Sequence, residues 1–230
     1  PAWSPARYTK VSMKLLALYL SSRGTTVKST SMAGLVSAKL PARRAITNAA
    51  MAAKVDVMPS APKPTIARVQ GHVAGGGNGL VAACDLAVAA ESAKFTVAFS
   101  KRGLIGEYGI SWALPRLVGQ ANAMDLMFSS RVIKAPEALA MGMVNKVLPD
   151  DQLMEFAMAY ASDLAMNVSP SSIAVMKRQI YADYGNDVSR STTEALRLMQ
   201  ESFTRPDFKE GVQSFLQKRQ AEFPPVNPNI

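Results

Sequence analysis

Histidine and cysteine are almost missing: His72 and Cys84 are the only ones in 230 residues. A lone cysteine forms no intrachain disulfide, and a chain of this length needs none, so a reducing compartment is the expectation. A lone histidine builds no His-rich metal site, and no Cys or His spacing accompanies it. A Ser-His-Asp triad would have to use His72, yet the sequence has no Gly-x-Ser-x-Gly elbow. Long apolar runs are missing as well. Residues 13–20 fall short of the roughly 18–20 residues that cross a bilayer, and Lys14 interrupts them, so no membrane span is expected. Acid is absent from the first 55 residues, which carry nine Lys or Arg; the rest of the chain holds seventeen of each sign, so the net charge of +9 sits in the first quarter. Three readings stay open for that segment. It is a solvated basic face, a targeting remnant of the Arg- and Ser-rich, acid-poor kind, or a contact for nucleic acid, an anionic membrane or an acidic ligand.

What is present is an apolar fraction of 48%, enough for a sizeable core. Before residue 60 the pattern is weak. Residues 8–20 place Val11, Leu15 and Leu18 on one helical face, residues 21–34 read as a Ser/Thr/Gly loop, and residues 42–54 as a second helix. Pro59, Pro62 and Pro64 then break the chain. From Thr65 alternation predicts a strand over 65–73, a glycine turn at Gly75, Gly76 and Gly77, a small-residue helix over 78–84, and strands over 86–90 and 94–99. Strand, turn, helix, strand is a βαβ unit with parallel pairing. A glycine-bearing loop, 103–109, precedes a helix over 112–118. Leu153, Phe156, Ala157, Tyr160 and Leu164 then mark a helix capped by Asp150 or Asp151, and further helices follow over 171–184, 194–203 and 208–220. The division expected is a divergent basic segment (1–60), an α/β core (61–149) and a C-terminal helical region (150–230).

The run Ala74-Gly75-Gly76-Gly77-Asn78-Gly79 sets bare backbone N–H groups at a helix N-terminus, which carries roughly half a positive charge. That end suits a phosphate or a developing oxyanion; close packing is the other use of such glycines. The sixth position from Gly75 is Leu80, not the glycine of a dinucleotide fingerprint, and no Gly-Lys-Ser/Thr follows, which excludes a P-loop.

Residues 63–77, Lys-Pro-Thr-Ile-Ala-Arg-Val-Gln-Gly-His-Val-Ala-Gly-Gly-Gly, resemble the KPxIAxVxGxAxGGG stretch of the enoyl-CoA hydratase/isomerase (crotonase) superfamily. The resemblance continues through residues 84–90 and 93–95, through Leu114-Pro115-Arg116-Leu117-Val118-Gly119 and residues 138–144, and closes in residues 210–215 with Lys218 and Arg219. It spans about residues 61–223. It implies an α/β, crotonase-like (ClpP/crotonase) spiral of ββα units with a C-terminal helical trimerisation region, and a homotrimer or hexamer. It also implies an acyl-CoA substrate with no further cofactor, CoA being part of the substrate, and no metal. Nucleic acid is not expected as a partner. The compartment implied is cytoplasmic, or the mitochondrial matrix or peroxisome in a eukaryote.

The resemblance further implies an oxyanion hole for the thioester carbonyl. The Gly76 N–H is one donor, Gly75 and Gly77 flank it, and the loss of such a donor typically costs about 3–4 kcal/mol of barrier. The second donor belongs to an earlier loop whose signature is not found in residues 1–60, so no residue is assigned to it. Hydratases of the family activate water with two glutamates; the matching positions here are Gly79 and Phe99. Glu107, in Gly103-Leu104-Ile105-Gly106-Glu107-Tyr108-Gly109, resembles the acidic residue of Δ3,Δ2-enoyl-CoA isomerases, which moves a proton from C2 to C4. Its other reading is a surface glutamate capping the next helix. Leu104, Ile105 and Trp112 are expected to desolvate Glu107, with Trp112 also lining the substrate, and Phe215 and Lys218 match the family's contacts to the CoA adenine and phosphate. His72, Cys84 and Asp85 are expected to be structural. The implied activity is enoyl-CoA isomerisation. The alternatives are hydration with Glu107 as lone acid/base, or a non-catalytic homologue whose basic arm binds RNA or a partner.

Overall fold

The computed structural model describes residues 61–226 and the backbone of two short strands, β1 (Tyr19–Leu20) and β2 (Val27–Lys28), which pair antiparallel. The two helices expected over 8–20 and 42–54 lie outside the described residues. The described residues divide into two compact units, one containing residues 65–157 and the other residues 61–64 and 158–226 together with β1 and β2.

In the first unit, β3 (Ile66–Val69), β5 (Leu86–Ala90) and β8 (Lys146–Leu148) form a parallel sheet in the order β3-β5-β8. A second sheet has the order β4-β6-β7, from β4 (His72–Ala74), β6 (Lys94–Thr96) and β7 (Ile133–Lys134), with β4 and β6 parallel and β6 and β7 antiparallel. The single strand expected over 65–73 is therefore two. Gly71 adopts φ 102°, closed to ordinary L-residues, and turns the chain out of one sheet into the other. Alternation runs on across this break, so periodicity alone could not register it.

The α-helices of this unit are α1 (Gly76–Ala83), α2 (Ile110–Val118), α3 (Gln120–Ser129) and α4 (Ala135–Ala140). Small strand residues, Ala67, Ala87 and Ala89, let helix side chains approach; Leu80, Phe95, Ile110, Leu114 and Ile133 fill the core. Asp85 ties the start of β5 to β3: its carboxylate accepts from the Thr65 N–H at 2.7 Å and hydroxyl at 2.8 Å, while the Asp85 N–H donates to that hydroxyl oxygen at 3.0 Å. Asp85 and buried Cys84 are structural, as expected.

Helix α5 (Leu153–Asn167) carries the chain into the second unit, followed by α6 (Pro170–Asp183), α7 (Val188–Phe203) and α8 (Pro206–Gln217). Ser169 caps α6 by accepting from the Ser172 N–H at 3.0 Å, and its hydroxyl donates to the buried Asp207 carboxylate. A groove of about 400 Å³ lies among Arg205, Phe208, Val212, Phe215, Leu216 and Phe223. Among the described residues no helix is long and apolar enough to cross a membrane.

Candidate active site

Strand β4 ends at Ala74, and Gly75 turns the chain with φ 55° and ψ −126°, a conformation only glycine adopts freely. Helix α1 starts at once, two residues earlier than alternation and composition suggest. From Gly77 to Ala83 every residue is buried, whereas Gly76 is partly exposed, so the first amide of α1 is where this helix meets its surroundings. Among the described residues that amide has no acceptor, as befits a first-turn donor. No acid stands in the first turn, which leaves the helix end electropositive.

Asn78 is fully buried in this turn. Its Nδ2 donates to the Gly75 carbonyl at 3.1 Å and to the Thr96 carbonyl at 2.8 Å. The Gly75 carbonyl also accepts from the Asn78 N–H at 3.0 Å, and the Gly75 N–H donates to the Thr96 carbonyl at 3.0 Å. Sequence reasoning passed over Asn78; the available signal was one amide side chain inside a helix of otherwise apolar and small residues.

After β6 a 3₁₀ turn, Ser100–Arg102, ends at left-handed Gly103. The loop then closes through Tyr108 (φ 56°) and Gly109 (φ 68°), both left-handed, and α2 begins. Glu107 does not cap α2. The N-cap is Gly109, no side chain bonds to the first turn, and only the Glu107 backbone takes part, accepting from the Ile110 N–H at 3.2 Å. The Glu107 carboxylate is half-buried and, among the described residues, has no hydrogen-bond or ion-pair partner. The same loop rests on α1. A Cβ placed on Gly79 would lie 2.9 Å from the Tyr108 carbonyl oxygen and 3.1 Å from the Tyr108 Cβ. The residue that follows Glu107 thus packs against α1 three positions after Gly76. Phe99, at the other position matching a hydratase glutamate, is buried in the core, and its ring edge would lie 3.9 Å from a Cβ on Gly75.

The remaining candidates are placed differently. Trp112 is 44% exposed and carries the Arg116 guanidinium over its ring at 4.3 Å; Ile105 is 82% exposed and Leu104 also faces outward. These three side chains, expected to desolvate Glu107, thus lie at the surface of the described residues rather than in the core. His72 stands on β4 beside Lys94, and burial together with that cation lowers its pKa and favours the neutral ring. Phe215 and Lys218 belong to the second unit; Phe215 is 82% exposed on α8, and Lys218 ends that helix in the left-handed conformation. The segment in which the family carries its second oxyanion donor lies outside the described residues.

Comparison with known proteins bears on this arrangement. A profile described as Enoyl-CoA hydratase/isomerase matches residues 31–225, beginning some way before the stretch in which motifs are recognisable by eye. A protein of Rhodobacter capsulatus named "Probable enoyl-CoA hydratase" is 38% identical over 164 residues, 71% of this chain and 63% of its own length. The 1,2-epoxyphenylacetyl-CoA isomerase of Escherichia coli is 35% identical over 167 residues, 70% of this chain and 62% of its own. The chain thus matches less than two thirds of the length of these relatives. Among solved structures, an enoyl-CoA hydratase from Bacillus anthracis superposes with a TM-score of 0.76 at 28% identity, over 81% of this chain and 72% of that one. One from Polaromonas sp. JS666 gives 0.74 at 30% identity, over 80% and 72%.

Proposed function

Because the chain belongs to the enoyl-CoA hydratase/isomerase family, we propose that it moves the double bond of a 3-enoyl-CoA thioester into the 2-position, with Glu107 as its single acid/base and the Gly76 N–H as one oxyanion donor. The Glu107 carboxylate takes a proton from C2. The electron pair of that C–H bond delocalises onto the thioester oxygen, where the Gly76 amide and the end of α1 stabilise the enolate. The electrons then return through C2–C3, the 3,4 double bond opens, and protonated Glu107 delivers its proton to C4. Nothing is added or lost, so one carboxylate serves both transfers.

The observation that carries this reading is the space taken at position 79. The Tyr108 backbone occupies the volume a side chain there would need, and position 99 is a buried phenylalanine, so a pair of water-activating glutamates has no place. The loop that fills the first position is the one that carries Glu107. The E. coli relative bears an isomerase name, for 1,2-epoxyphenylacetyl-CoA and not for a 3-enoyl-CoA. Relatives named as hydratases favour a second reading, addition of water with Glu107 as lone acid/base. CoA contact through Phe215 and Lys218, and assembly as a homotrimer or hexamer, belong to the same proposal.

The experiment is Glu107→Gln, assayed with a 3-enoyl-CoA. Turnover should fall by about 10²–10⁴-fold with affinity for the CoA ester retained. The wild-type product should be the 2-enoyl thioester, carrying at C4 the hydrogen that left C2. An unimpaired Glu107→Gln enzyme would overturn the assignment of the base; accumulation of a 3-hydroxyacyl-CoA would replace isomerisation by hydration.

A further inference from the structure

We propose that Asn78 is the positioning residue that holds the Gly76 N–H toward the substrate oxygen, a role resting on the reading of Gly76 as oxyanion donor. The argument begins with the peptide that joins Gly75 to Gly76. A trans peptide is planar, so its C=O and N–H point in opposite directions. Whatever fixes the Gly75 carbonyl therefore aims the Gly76 amide. Two glycines flank this plane, and without Cβ atoms to oppose it the plane rotates at little cost. A flip would turn the carbonyl toward the site and the N–H inward, replacing a donor by an acceptor where negative charge is to form. The glycines that permit the turn also leave it unlocked.

Asn78 supplies the lock. Beside the helix's own first bond, the Gly75 carbonyl accepts from the Asn78 N–H at 3.0 Å and from Nδ2 at 3.1 Å. The second Nδ2 hydrogen goes to the Thr96 carbonyl at 2.8 Å, the same oxygen that receives the Gly75 N–H. One buried amide thus clamps the glycine turn to β6. The orientation is dictated, because a flipped amide would set its oxygen against two carbonyl oxygens. The remaining side-chain atom shows what the arrangement costs. Asn78 Oδ1 is buried and, among the described residues, has no hydrogen-bond partner, a penalty that an apolar side chain of similar size avoids. What such a side chain lacks is the pair of donors. Carboxylate at this position would present no donor and would place negative charge beside both carbonyls and the forming oxyanion.

The test reads the donor directly. A push–pull cinnamoyl-CoA thioester, whose absorption moves to the red when its carbonyl is polarised, serves as probe with wild type, Asn78→Ala and Asn78→Ser. Wild type should show the red shift. Asn78→Ala should lose most of it, with kcat for the 3-enoyl-CoA lower by roughly 10- to 100-fold and probe affinity and KM little changed. Asn78→Ser should recover part of both, since its hydroxyl can reach back to the carbonyl three residues earlier. If Asn78→Ala does not fold, the serine variant carries the comparison, with an intermediate shift expected. A wild-type red shift left undiminished in the variants, with kcat intact, overturns the role of Asn78 and leaves the Gly76 donor standing. Wild-type enzyme that gives no red shift with bound probe overturns the Gly76 donor, and the positioning role with it.

Discussion

At position 79 a missing side chain is a packing requirement. A Cβ there would press on the Tyr108 carbonyl oxygen, and backbone yields poorly. At Gly106 the contact is nominally closer, 2.7 Å, but the atom met is the Met127 Cε, the far end of a flexible side chain. Gly79→Ala should therefore lower stability by about 1–3 kcal/mol and move the Glu107 loop, while Gly106→Ala costs distinctly less. Thermal unfolding and turnover on a 3-enoyl-CoA of the two variants, side by side, check this ordering; equal losses would remove the distinction. Glu107 was readable from its loop pattern and Gly76 from the glycine run. The crowding at Gly79 was not, because the atom that fills the space comes from Tyr108, 29 residues further along.

Among the elements, helices with one apolar stripe and a capping residue were the easiest to foresee. Helix α6 runs over Pro170–Asp183, one residue earlier at each end than the 171–184 expected; its Ser169 cap is a feature the sequence reading did not name. Elements without such marks were missed: α3, α4, β7 and β8 are short or only weakly periodic. Beyond α8 one carboxylate gathers several bonds from the chain. Glu210 accepts from the Arg219 guanidinium at 2.6 and 2.8 Å and from the Glu222 N–H at 2.7 Å, and the guanidinium, followed by that backbone bond, holds its carboxyl at about 2. An acid whose folded pKa is depressed favours folding while ionised. Its contribution is thus full above the ordinary carboxylate value near ~4.3 and disappears as pH falls from there through about 2. Melting temperatures of wild type and Glu210→Gln should differ near neutrality and converge toward that acid limit, with salt narrowing the gap because the pair is exposed. A gap that does not change with pH would show that the carboxylate's charge is immaterial.

At the scale of the whole chain, the α/β core and its family were legible because several motifs fall in the right order over residues 61–223. How β3 and β4 divide between two sheets was not, since strand period is the same in either sheet. In the second unit Phe203, Phe215 and Leu216 are more than half exposed on α7 and α8, more apolar surface than scattered residues explain. The proposed trimer or hexamer would cover such a surface, so light scattering should return three or six chain masses, and Phe215→Asp with Leu216→Asp should shift the distribution toward monomer. A wild-type monomer at micromolar concentration would dispose of the assembly.

Helix α1 has no wet side. Seven of its eight residues are buried, three of its residues are glycine, and an isolated peptide of that composition and length would not be helical in water. It must therefore come into being last, condensing between strands and helices that are already in place. The electropositive end of α1 is thus a product of completed folding rather than a seed for it, and any lesion that slows closure of the surrounding core should lower the proposed activity before it costs bulk helix content.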